Sequence, residues 1–273
     1  MSLFDSQMVF CSLGSGSCGN CYYLGTLTDA ILIDAGIGIR RMLKYLTDYG
    51  LKRDTIRGIL LTHDHCDHVK SAAAFSEKLG VPVYATATVH EGVQKNKFIG
   101  KKIKPENRRD IELGTTLQIG DFSIESFPIP HDSAANTGYT IRVGETVFSL
   151  MTDVGYATED VNKAICRSTH VVLEANYDPE MLRTGPYPYP LKLRIANGMG
   201  HLSNLQTAEA LIKNMHEGLK DVWLCHLSAE NNNPELALST VASMLNGAGY
   251  EVGTDLQLAV LNREKPTGVF TIG

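Results

Sequence analysis

A chain of 273 residues, 43% hydrophobic and without any shift of composition along its length, has enough apolar material for a large core and reads as a single domain, 1–273. A net charge of −5 excludes a protein that attracts polyanions through its overall charge, and no apolar run is long enough to cross a bilayer. Residues 1–6 lack the charged start and apolar stretch of a secretory signal, and six cysteines in a chain of this size do not form the framework of a small secreted domain, so a cytoplasmic protein with reduced thiols is expected.

In chain order, short apolar runs separated by turns predict strands over 8–13, 21–25 and 30–34, then a helix over 39–49. Cys18-Gly19-Asn20-Cys21 has redox spacing but lies in a Gly/Ser-rich turn rather than at a helix start, and reads as a tight turn. The apolar run 58–61 ends at Thr62-His63 and is followed by a helical stretch over 68–79 and a strand over 81–85. Between 95 and 109 seven lysines and arginines stand against Glu106 alone, a pattern typical of a solvated loop. Residues 117–152 read as antiparallel hairpins with Gly120-Asp121 and Gly144-Glu145 at the turns. Helices over 159–166, 205–215 and 234–245 then alternate with strands over 170–174, 222–225 and 256–261, with Leu205, Ala208, Ile212 and Met215 forming a core stripe. Two mixed β-sheets flanked by helices, an α/β sandwich with polar groups at strand ends, accommodate this order.

His63-Asp64-His65-Cys66-Asp67-His68 follows directly on an apolar strand, and so dense a run of imidazoles and carboxylates has little structural use. These are ligands for zinc-like divalent ions. In an extended turn His63 and His65 point the same way and can grip one ion, while Asp67 and His68 reach a neighbouring one. The remaining ligands must come from elsewhere. His131, Asp153 and His226 are candidates because each ends an apolar or β-rich run, in Pro128-Ile129-Pro130-His131, Leu150-Met151-Thr152-Asp153 and Trp223-Leu224-Cys225-His226.

The pattern His-x-His-x-Asp-His, met by His63, His65, Asp67 and His68, resembles the signature of the metallo-β-lactamase superfamily, whose fold is an αββα sandwich. By that resemblance His131 completes the first site, Asp153 bridges two divalent ions, zinc or manganese, and His226 completes the second site with Asp67 and His68. Longer motifs, Ser15-Gly16-Ser17-Cys18-Gly19-Asn20, Leu173-Glu174-Ala175-Asn176-Tyr177-Asp178, Gly185-Pro186-Tyr187-Pro188, Leu191-Lys192-Leu193-Arg194-Ile195 and Gly200-His201-Leu202-Ser203-Asn204, resemble the WalJ/YycJ/VicX-like branch. That resemblance implies an exonuclease-like phosphodiesterase acting on DNA from a 5′ end.

In such an enzyme a hydroxide bridging two ions attacks the phosphodiester, and Asp67 can orient it as well as bind metal. His201 resembles the extra histidine of the transfer-RNA 3′-processing members, which would protonate the leaving oxygen, and Glu174 resembles the glutamate that orients it. The bland alternative is that Ser203 or Asn204 is the N-cap of the following helix with the His201 imidazole packed nearby, and the catalytic reading is preferred. His90, His170 and His216 have no supporting pattern and read as structural or surface residues. Tyr187, Tyr189, Lys192 and Arg194 lie in a proline-rich loop between Asp178 and His201 and mix stacking faces with cations, as contacts to a nucleic-acid end would. The same metal cluster also serves hydrolysis of small esters, thioesters and lactones, which needs neither His201 nor the basic segment 95–109. β-Lactam hydrolysis fits less well, because Asp153 stands where many lactamases use a cysteine. A metal-stabilised binding module without turnover would have no use for the additional histidine.

Overall fold

The computed structural model describes residues 7–273; the opening segment 1–6, read above for a missing secretory signal, lies outside the described residues. The first half runs through β1 (Met8–Gly14), β2 (Cys21–Gly25), β3 (Ala30–Ile33), α1 (Ile39–Asp48), β4 (Ile56–Leu60), α2 (Cys66–Val69), α3 (Ala72–Leu79), β5 (Val83–Ala85), α4 (Ala87–Lys95) and β6 (Arg108–Asp110). Next come the hairpin strands β7 (Thr116–Ile119), β8 (Phe122–Pro128), β9 (Thr137–Val143) and β10 (Thr146–Met151). The last part alternates α5 (Glu159–Arg167), β11 (His170–Glu174), α6 (Pro179–Thr184), α7 (Tyr189–Ala196), α8 (Asn204–Asn214), β12 (Asp221–Cys225), α9 (Pro234–Gly247), β13 (Gln257–Val260) and β14 (Phe270–Ile272).

Strands β2, β3, β10 and β11 are buried at every position, as required of strands covered on both faces. They lie inside two seven-stranded sheets, ordered β14-β1-β2-β3-β4-β5-β6 and β13-β12-β11-β10-β9-β8-β7. Each is mixed, antiparallel where hairpins join neighbours and parallel from β3 to β6 and from β10 to β13. The alternation of side chains along a strand sorts the core into three layers. Phe10, Tyr22, Ile31, Phe148, Val172 and Trp223 pack between the sheets. Cys11, Leu32 and Ile59 point the other way, onto Met42 and Leu46 of α1, Phe75 of α3 and Val89 of α4. Val171, Leu173 and Leu224 do the same against Val161 of α5, Leu211 of α8 and Val241 of α9. The result is the αββα sandwich, and among the described residues no helix is long and apolar enough to cross a membrane.

Some elements differ from the sequence expectation for identifiable reasons. The stretch 68–79 is not one helix: α2 ends at Val69 because Ser71 donates its amide to Ala35 instead of continuing the ladder, and α3 starts afresh. The proline-rich segment is not a loop but carries α6 and α7, with Pro179 and Pro190 in their first turns, where a missing N–H costs nothing. Asp178 caps α6 by accepting from the amides of Glu180 and Met181 at 3.0 and 2.9 Å. Leu205 leaves the expected core stripe and is exposed, while Thr207, Ala208 and Leu211 take the buried face of α8.

Candidate metal centre

The expected site residues come together at the carboxyl ends of the strands. His63, His65, Asp67 and His68 lie on the loop and short helix that follow β4. His131 follows β8, Asp153 follows β10, and His226 follows β12. The ends of parallel strands gather open loops on one rim, where α/β folds hold their ligands. Two of these residues are held in a left-handed backbone, Asp153 at φ 55° and His226 at φ 53°, a strained state for a residue with a side chain and one common at functional sites.

The ligand atoms of His63, His65 and His131 lie within 4.8 Å of one another, and so do those of Asp67, His68 and His226. Asp153 stands between the two groups, with Oδ2 3.2 Å from His68 Nε2 and Oδ1 3.7 Å from His131 Nε2. The Nε2 atoms of His63, His131 and His226 are buried without a hydrogen-bond partner. Buried polar atoms are seldom left unpaired, and these nitrogens meet a cluster of carboxylates, so the residues fit divalent cations. Each ring is turned by its other nitrogen. His131 Nδ1 donates to the Gly200 carbonyl at 2.9 Å, His63 Nδ1 meets Thr62 Oγ1 at 3.0 Å, and His68 Nδ1 donates to Asp34 Oδ2 at 2.7 Å. Such partners fix the tautomer and direct Nε2 into the cluster, where that of His68 also meets the Asn20 side-chain amide at 2.8 Å.

Charge is divided unevenly over the cluster. Burial holds the His63 and His131 imidazoles below their ordinary pKa. At His68 and His226 burial acts in the same sense, but Asp153 and its neighbouring carboxylates outweigh it, raising both and bringing His226 to about 10. Burial opposes ionisation of Asp67 and Asp153 too, yet the surrounding histidines hold both carboxyls below the usual range.

Glu174, wholly buried at the end of β11, is the hub of the second group. Its Oε2 accepts from the amides of Val154 (2.8 Å) and Leu202 (3.1 Å), and its Oε1 accepts from Nδ1 of His201 (2.8 Å) and of His226 (3.0 Å). His201 therefore keeps one nitrogen on Glu174 and lines a cleft of about 190 Å³ together with His226, Asn176, Tyr187, Arg194 and Asp132. Burial disfavours its proton, but Glu174 and Asp153 prevail and raise its pKa. Gly200 sets the ring's place: a Cβ there would stand 2.2 Å from the Ile195 carbonyl oxygen. The helix cap is separate. Ser203 caps α8 in a reciprocal pair with Gln206, at 3.2 and 2.9 Å.

The four residues expected at a nucleic-acid end are not equivalent. Tyr187 and Arg194 line the cleft, and Arg194 is paired with Asp132, the neighbour of His131. Lys192 donates to the Arg183 carbonyl at 2.7 Å, and Tyr189, the first residue of α7, stands 71% exposed. His170 lies 3.2 Å from an Asp221 carboxylate oxygen and stacks on Trp223, and His90 is buried against the Arg109 carbonyl, away from the cluster.

Sequence reasoning missed Asp34, Thr62, Asn20 and Ser15. Asp34, buried and at φ 62°, accepts from Thr62 N (2.9 Å), from Thr62 Oγ1 and from His68. Its signal was available: a carboxylate ending the apolar run of β3, the same context as the other candidates. Asn20, in the Gly/Ser-rich turn, receives its place from the Asp67 carbonyl, to which its amide donates at 2.7 Å, and Ser15 Oγ accepts from the amide of His226 at 3.0 Å. Gly36 makes room for this contact, since a Cβ would fall 1.6 Å from the Asp67 carbonyl oxygen.

Comparison with known proteins gives the same region a lineage. The family description "Beta-lactamase superfamily domain" matches residues 29–222. The chain is 35% identical over 246 residues to "Exodeoxyribonuclease WalJ" of Streptococcus pneumoniae serotype 2, covering 90% of this chain and 91% of that protein. It is 32% identical over 260 residues to "Exodeoxyribonuclease YycJ" of Bacillus anthracis, covering 95% and 97%. Among solved structures, the metallo-beta-lactamase fold protein YhfI of Bacillus subtilis aligns with a TM-score of 0.70 at 15% identity over 98% of this chain and 100% of that one, a likeness of fold.

Proposed function

Because the chain belongs to the metallo-β-lactamase superfamily, in its WalJ/YycJ-like branch, and is a metal-dependent hydrolase, we propose that it is a dinuclear-metal phosphodiesterase degrading DNA from a 5′ end. In this reading the whole chain is one catalytic domain, cytoplasmic because its six free thiols call for a reducing compartment. His63, His65 and His131 would hold one ion and Asp67, His68 and His226 the other, with Asp153 reaching toward both groups. Zinc or manganese suits this set of imidazoles and carboxylates. Two such ions polarise a phosphodiester and supply a nucleophile at neutral pH.

The chain's own residues do the rest. Asp67, at the mouth of the cluster and held low in pKa, accepts a hydrogen bond from the attacking water and aligns it. His201, on Glu174, gives its proton to the leaving oxygen, and the buried carboxylate compensates the charge that the ring carries beforehand. Tyr187 and Arg194 offer a stacking face and a cation to the nucleotide in the cleft. The observation that carries the reading is His201: an imidazole fixed by a buried glutamate beside the metal cluster and lining a cleft with Arg194 and Tyr187. A small-ester hydrolase needs neither of these groups.

The test is digestion of 5′-labelled single- and double-stranded DNA by protein reconstituted with zinc or manganese, beside the Asp67→Ala variant, a thioester and a lactone. Metal-dependent release of nucleotides that the variant lacks is the expected result. Intact DNA together with turnover of a small ester would overturn it.

A further inference from the structure

The basic segment 95–109 is largely occupied with itself. Lys95 pairs with Glu91, Lys101 and Lys104 with Glu77, Lys102 donates to the carbonyls of Val93 (2.9 Å) and Asn96 (2.5 Å), and Arg108 and Arg109 bond to the carbonyls of Ile103 and Glu106. Lys97 stands apart. It is exposed, and among the described residues it makes no hydrogen bond or ion pair. Its neighbour Phe98 is 89% exposed, the most exposed of the large apolar side chains described, although the next residue, Ile99, is buried in the core beneath the first sheet.

This pair is tied to the metal loop. Asn96 donates its side-chain amide to the Asp64 carbonyl at 3.0 Å, and its Oδ1 accepts from the Phe98 amide at 3.0 Å. Asp64 is the residue between the ligands His63 and His65. Two residues of chain span at most about 7 Å, so Phe98 begins within that reach of the residue that grips the metal loop. The backbone there is held firmly: α4 packs so closely on Asp64 that a Cβ on Gly92 would lie 2.4 Å from its carboxylate, and Lys102 closes the turn onto Asn96. An aromatic ring held in water costs free energy unless something covers it, and a ring beside an unpaired cation suits a base stacked on one and a phosphate beside the other.

We propose that Lys97 and Phe98 form a second nucleic-acid contact, taking the part of a polymeric strand that extends past the metal centre on the side of the first sheet, while α7 serves the nucleotide in the cleft on the side of the second. The inference rests on the nuclease reading above. It assigns substrate length as the property that this loop reads: a mononucleotide ester does not reach it, and a strand does.

The experiment compares kcat/KM for a single-stranded oligonucleotide of about 20 residues with that for a dinucleotide, in wild type, Lys97→Ala/Phe98→Ala and Phe98→Trp. Stacking and one phosphate contact together predict a fall of about tenfold in the oligonucleotide-to-dinucleotide ratio for the double variant, whereas Phe98→Trp, which keeps Lys97 and a stacking face, retains the wild-type ratio. The affinity for the oligonucleotide should also lose about one unit of salt dependence. An unchanged ratio, or a loss equal on both substrates, overturns the proposal while leaving the nuclease reading in place. Wild-type protein that cuts neither substrate overturns both.

Discussion

Replacing His201 by Ala tests the chemistry most directly. The ring is held by Glu174 Oε1 at 2.8 Å, one-fifth exposed at 20%, and its pKa lies above the ordinary value of 6.5 because the carboxylates of Glu174 and Asp153 outweigh burial. That upward shift favours the protonated ring that a leaving oxygen requires. Protonation by a placed acid contributes about 10²- to 10⁴-fold to such reactions, about 3 to 5 kcal/mol of barrier, so His201→Ala should lose a hundred-fold or more in kcat. Bound metal should stay, because the rings of His63, His68, His131 and His226 take their fixing hydrogen bonds from Thr62, Asp34, Gly200 and Glu174 rather than from His201. The assay pairs an ordinary oligonucleotide with one whose leaving oxygen is replaced by sulfur. A thiolate departs without a proton, so the variant should approach wild type on the sulfur substrate while failing on the oxygen one. The wild-type rate on oxygen should decline on the alkaline side as pH rises through the raised His201 pKa, and that limb should vanish in the variant. Equal losses on both substrates, or loss of metal, would refute the general-acid role.

Three further outcomes follow from the same geometry. Asp153→Ala removes the carboxylate between the two ligand groups and should abolish activity with most of the bound metal, measured by elemental analysis; a fully loaded, active variant would overturn the site. Asp34→Asn leaves His68 Nδ1 facing an amide in place of a carboxylate and should weaken metal binding about 10- to 100-fold, read by competition with a chelator, while the fold remains by circular dichroism. Metal loading at pH 7 should release about two protons, seen by calorimetry in buffers of different ionisation enthalpy, because His68 and His226 have raised pKa values, the latter about 10, and must be neutral to ligate. The release from His226 should fade as pH rises through 10, and loading without proton release would contradict the charge distribution.

The ligand candidates are legible because the sequence gives them no other employment. A histidine or aspartate that ends a run as apolar as 58–61 or 222–225 is expensive unless it meets a partner, and the strand ends bring all seven candidates to one rim. The sheets are legible for the complementary reason, since fully buried strands such as β3 and β11 can exist only with cover on both faces. The helix α7 is obscured by Pro186, Pro188 and Pro190, which suggest a loop by number, whereas position decides: Pro188 is its N-cap and Pro190 lies in its first turn. The break between α2 and α3 is invisible because it depends on Ala35, a residue more than 30 positions away in the chain, accepting the amide of Ser71.

The hardest part to read is the layer that holds the ligands, and the backbone shows why. Among the described residues three non-glycine positions have positive φ, Asp34, Asp153 and His226; Asp34 and His226 directly follow the strand that delivers them to the site, and Asp153 stands one residue further on, after Thr152. Such a conformation costs about 1 to 3 kcal/mol and persists only where contacts on several sides fix it. For Asp34 these are Thr62 and His68, for Asp153 the carbonyl that accepts from Asn136 at 2.8 Å, and for His226 the Ser15 hydroxyl, Glu174 and Asn176. None of these partners is a neighbour in sequence, and several are residues that a local reading assigns to turns and strand ends. A motif can name the atoms that would face a metal, because those atoms share a chemistry. The groups that turn them to face it share only a place, and that place exists once both sheets have closed.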